Sequence, residues 1–107
     1  MISTLIKNAL DGLALSNYFI TRASDKEECI VYNYVAVPSW SADHEEKAVK
    51  YTVMVNLYCK SKIEKNKNDI VKAMQGQGFI RKSVASTVVN ETGFYCTALT
   101  FAIVLQN

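Results

Sequence analysis

The stretch KYTVMVNLYCK, from Lys50 to Lys60, alternates Tyr51, Val53, Val55, Leu57 and Cys59 against Lys50, Thr52, Asn56 and Lys60. A two-residue repeat of this kind belongs to a β-strand with one face buried. Met54 and Tyr58 place large side chains on the otherwise polar side. A strand whose second face is also partly apolar belongs in the middle of a sheet, with something covering that face. The rest of the chain has to supply neighbours for it.

Two amphipathic helices and three further strand-like stretches are available. Ile2, Leu5, Ile6, Ala9, Leu10 and Leu13 recur at helical spacing, with Ser3 a candidate N-cap and Gly12 a weak point near the end. Ser16 and Asn17 close that helix, and Tyr18, Phe19 and Ile20 form an apolar anchor before a polar turn over Thr21 to Lys26. From Glu28 to Val37 β-branched and aromatic residues dominate both faces, and Pro38 is expected to end the strand because it cannot donate to a ladder. Ser61 and Glu64 have the spacing of a capping box for a second helix, which could instead start near Asn66 and ends at Gly76 and Gly78.

Phe79 to Asn90 reads as one strand with mixed faces, suited to a sheet edge. A turn over Glu91, Thr92 and Gly93 leads into a long strand from Phe94 to Gln106. Its Cys96, Ala98, Thr100, Ala102 and Val104 face is small enough for a helix to lie close against it. The expected architecture is α+β in the order α-β-β-α-β-β, a four-stranded, mainly antiparallel sheet with both helices on one face. At 107 residues, half of them apolar, residues 1–107 are expected to form one domain around one core.

Chemistry is hard to place on this pattern. His44 is the lone histidine, and Cys29, Cys59 and Cys96 each fall inside a predicted strand, so a thiol and imidazole pair is not expected. The cysteines lie about thirty or more residues apart, without metal-ligand spacing, which fits buried free thiols in a reducing cytoplasm. Asp43, His44, Glu45 and Glu46 read as a solvated acidic loop rather than a metal site. GQGFIRK, Gly76 to Lys82, follows a helix instead of opening one, so it is a helix end and not a phosphate loop. No metal, cofactor or catalytic residue is assigned.

The net charge of +2 argues against a nucleic-acid partner, and the lysines from Lys60 to Lys72 suit a solvated helix face. Lys7 and Asp11 interrupt the first apolar pattern, and no apolar run reaches the roughly 18 residues of a membrane span, so neither signal peptide nor anchor is expected. The connection from Pro38 to Lys47 is long for a hairpin loop and carries the lone Trp40, which serves either as an interface anchor or as a plug into the core.

Several phrases together resemble one family. They are the helix of Ile2 to Leu13, VYNY at Val31 to Tyr34, YTVMVNLYCK at Tyr51 to Lys60, DIVKAMQGQGF at Asp69 to Phe79, and ETGFY at Glu91 to Tyr95. Across nearly its whole length the chain resembles the small tail completion, or tail-to-head joining, proteins of long-tailed bacteriophages and prophages of Gram-positive hosts. That resemblance implies a structural virion protein of tail-terminator-like fold and no enzyme. It implies a hexameric ring that caps the tail tube and meets the head connector, with the major tail tube protein and a head-completion protein as partners. The residues alone nominate Trp40, His44, Met54 and Tyr58 as interface positions. A small cytosolic α+β regulatory or ligand-binding module, dimeric through its sheet, is the alternative.

Overall fold

The computed structural model describes residues 2–22, 27–39, 48–90 and 92–106. Its centre is β3 (Ala48–Cys59), paired antiparallel on one side with β2 (Cys29–Ser39) and on the other with β6 (Tyr95–Gln106). Around these lie α1 (Ile2–Leu10), β1 (Ser16–Phe19), α2 (Ile63–Gly76), β4 (Ile80–Val84) and β5 (Val88–Val89). The α+β class is as expected, but the sheet has six strands instead of four, in the order β1-β2-β3-β6-β4, with β5 also against β6.

Both extra strands come from segments too short to show a period. Tyr18 and Phe19, expected to be an anchor after the helix, belong to β1, which pairs in parallel with Cys29 to Tyr32. It stops where Ile20 turns into the left-handed region at φ 69°. The expected single strand from Phe79 to Asn90 is divided into β4 and β5, and a bulge between Arg81 and Ser83 bends the first piece.

Pro38 does not end its strand: β2 continues to Ser39 and pairs with β3 throughout. Ile20 N–H donates to the Tyr32 carbonyl at 2.8 Å, so Tyr32 points its backbone groups away from β3. Every second residue does the same, and Pro38 is one of them. Its missing N–H therefore costs the β2–β3 ladder nothing.

The helices also begin and end differently from the sequence reading. α1 finishes at Leu10, and Leu13 N–H reaches back to the Leu10 carbonyl at 3.1 Å in the turn around Gly12. The capping box of Ser61 and Glu64 is not formed. Lys62, at φ 57°, is the N-cap of α2 and no side chain caps it, so the pair is one residue out of step. Glu64 bonds Lys67 at 3.2 Å instead.

Both helices cover one face of the sheet, where Ile6, Leu10, Ile70 and Met74 meet Ile30, Val53, Val55, Leu57, Leu99 and Phe101. The helices thus lie on the large-residue face of β6, not on the small one that the sequence favoured. Burying the bulky set removes more apolar surface from water, at about 1.5–3 kcal/mol per large side chain. Thr97, buried in the same region, bonds Thr87 hydroxyl to hydroxyl at 2.7 Å.

Candidate interaction surface

The second face of the sheet divides into a covered end and an open end. At the covered end the register sets Cys29, Tyr58, Cys96 and Val88 side by side. Arg22 lies over Tyr58, its guanidinium carbon 4.4 Å from that ring centre and 4.5 Å from that of Phe94, while Val88 at the side stays exposed. Arg22 Nη2 also donates to the Glu27 carbonyl at 2.9 Å. Lys60 places its ammonium 5.0 Å from the other ring, Phe94, which is buried. Asn90 fixes the approach to that ring: its Oδ1 accepts from Thr92 N–H and Phe94 N–H at 3.0 and 2.9 Å. Gly93, at φ 83°, makes the turn possible.

The open end is built from the far halves of β2, β3 and β6, with β4 at the side. One row across the sheet reads Val35, Thr52, Ala102, Ile80, and the next Val37, Lys50, Val104. Val35, Val37, Ile80 and Val104 are exposed by 50, 53, 63 and 52%. These four exposed apolar side chains around one lysine make this end of the face the candidate surface for docking. Met54, half-buried, stands next to the patch between Asn33 and Thr100.

Of the positions nominated from sequence, Met54 and Tyr58 share this face, though Tyr58 is half-buried beneath Arg22. Trp40 and His44 lie outside the described residues, as do Asp43, Glu45 and Glu46. The four exposed aliphatic residues were not singled out, although the apolar second face of β2 carried the signal. Arg22 had no signal in the sequence beyond lying in a polar turn.

Burial pushes the thiols of Cys29, Cys59 and Cys96 above their ordinary range, with Arg22 pulling the other way at Cys29 and Cys96. Among the described residues, no three His, Cys, Asp or Glu side chains are grouped to hold a metal ion. A shallow depression of about 450 Å³ runs along Lys7, Asp11 and Leu13 to Tyr18. Its polar groups are occupied with one another: Lys7 Nζ donates to Asn17 Oδ1 and Asn17 Nδ2 to Asp11 Oδ1, each at 2.9 Å. Among the described residues no helix is long and apolar enough to cross a membrane. The chain matches no protein-family model, and no curated protein is significantly similar to it.

Proposed function

We propose that this chain is a structural phage protein that completes the tail: a ring-forming oligomer that caps the tail tube and joins it to the head connector. The reading rests on the resemblance of the phrases given above, and one observation supports it physically. An apolar patch of Val35, Val37, Ile80 and Val104 is left open at one end of a continuous sheet. Such a patch suits docking by surface, with no need of a cleft.

The partners are further copies of the chain, the major tail tube protein and a head-completion protein. Membranes, specific nucleic acids, metals and cofactors have no part in it, and no catalytic residue is assigned. Assembly takes place in the host cytoplasm, and the finished protein resides at the head–tail interface of the virion.

Mass measurement by light scattering, with negative-stain microscopy, tests the ring, and co-sedimentation with purified tail tubes tests the function. Hexameric rings that bind tube ends are the expected result. A dimer indifferent to tubes would instead support the small regulatory or ligand-binding module.

A further inference from the structure

Arg22 is carried onto the outer face by a turn that its own residues do not favour. Ile20 stands in the left-handed region at φ 69°, and across it Thr21 N–H donates to the Phe19 carbonyl at 2.8 Å. A hydrogen bond that spans one residue at positive φ closes a strained γ-turn, and a β-branched side chain suits that position least. Burial does not compensate, because Ile20 is 56% exposed.

The guanidinium at the end of this turn is only partly satisfied. It rests on the rings of Tyr58 and Phe94, and its Nη2 donates to the Glu27 carbonyl. Its Nε is buried and has no hydrogen-bond partner among the described residues. A donor shut away from water without an acceptor opposes the contact that buries it. Glu27 itself is well held, since its two carboxylate oxygens lie 2.8 and 3.0 Å from the Tyr18 hydroxyl. The arginine is therefore the part of this contact that is pressed into place.

Beneath it the register sets Tyr58 between Cys29 and Cys96, and Cys29 has no exposed surface. The guanidinium is close enough to pull on both flanking thiols.

We propose that Ile20, Thr21 and Arg22 form a sprung cover, in which the strained turn and the unsatisfied Nε drive Arg22 to lift from Tyr58 and Phe94 while the sheet and the helix-side core stay folded. On lifting, Ile20 relaxes to the extended region and Nε reaches water. The near side of the hinge is fixed by Ile20 N–H on the Tyr32 carbonyl at 2.8 Å. The outer face thus has two states, one capped by a cation and one presenting two aromatic rings and the Cys29 thiol. The device needs a single copy of the chain, so it stands or falls apart from the ring reading.

Thiol labelling follows the motion, because the chain carries its own control. Cys29 lies under the cover, whereas Cys59 is fully buried in the helix-side core and is reached only by wider unfolding. With each rate divided by that of the same thiol in the urea-unfolded chain, Cys29 is expected to label at least roughly tenfold faster than Cys59. Low urea should accelerate Cys59 and leave Cys29 unchanged until the two rates meet, since local opening exposes little surface. Ile20→Gly and Ile20→Asn place at φ 69° residues that tolerate it, and each should slow Cys29 several-fold. Arg22→Ala should speed it by a similar factor. Equal rates and equal urea dependence for the two thiols would mean that only unfolding uncovers this face, and they overturn the cover. A Cys29 rate slowed by neither Ile20 variant removes the spring, and one unmoved by Arg22→Ala removes the lid; either result refutes the proposal.

Discussion

The two faces of this sheet are made from the same strands, yet one is finished and the other is not. On the helix side Val53, Val55, Leu57, Leu99 and Phe101 are fully buried against α1 and α2. On the other side Val35, Val37 and Val104, at the far end of the sheet, stay about half exposed, and among the described residues Arg22 covers the opposite end over Tyr58 and Phe94. Residue type does not separate them, because valines stand on both faces. What separates them is whether the chain has a further element to lay on top. The helix face holds the monomer together, and the open face is free for another molecule.

The contrast is tested most severely by Phe101→Ala against Val104→Ala. Removing a ring with no exposure should cost about 3–5 kcal/mol of stability by urea denaturation. Truncating Val104, half exposed three residues along the same strand, should stay within about 0.5 kcal/mol. Comparable losses for the two would mean that the outer face is part of the monomer's core.

How much of this contrast the sequence displays depends on the length of each segment. The alternation in β3 and β6 runs for about a dozen residues; in β3 it identifies the buried set Val53, Val55 and Leu57, whereas in β6 it marks the strand and leaves two apolar faces to choose between. β1 and β5 have four and two residues, too few for any period, and each exists only because a longer strand offers it an edge. Pro38 misleads for a related reason: the sequence marks a missing donor, but only the pairing shows that the donor would have faced outward. The side chosen by the helices was also illegible, since both faces of β6 are apolar and relative bulk decides. The open patch was half visible, in the apolar second face of β2, while the covering arginine came from an unpatterned turn.

Arg22→Ala probes the covered end, and the expected loss is smaller, about 1–2 kcal/mol, because the half-buried guanidinium interacts with two rings, the half-buried Tyr58 and the buried Phe94. Arg22→Lys should recover only part of it, as an ammonium cannot lie flat against both rings. The variant should also uncover Tyr58 and Phe94, bringing the covered end closer to the open one. A rise in binding of an apolar fluorescent dye would register that change. Unaltered stability and dye binding in Arg22→Ala would show that the two ends differ for some other reason.

The thiols offer a gentler contrast. Burial raises Cys29 on the outer face and Cys59 on the helix face above the ordinary thiol range. A group that holds its proton more tightly when folded contributes in full below its unfolded value, about 8.5, and its contribution falls away as pH rises through the higher folded value. Stability should therefore decline above roughly pH 8.5. Cys59→Ala and Cys29→Ala should each flatten that decline, and a profile unchanged by both would sever it from these thiols.

Val37→Ser carries the smallest expected effect on the monomer and is aimed most directly at the open face. Val37 is 53% exposed and shares its row with Lys50 and Val104. Serine there loses little buried surface and leaves the β2–β3 ladder intact, so the denaturation midpoint should move by no more than about 0.5 kcal/mol. Assembly is another matter, because in the complex the same methyl groups are covered and each buried methylene contributes about 0.8 kcal/mol. The expected outcome is a monomer as stable as the parent that assembles only at several-fold higher concentration, read by light scattering across a dilution series. A variant that loses stability but assembles as before would reverse the roles of the two faces.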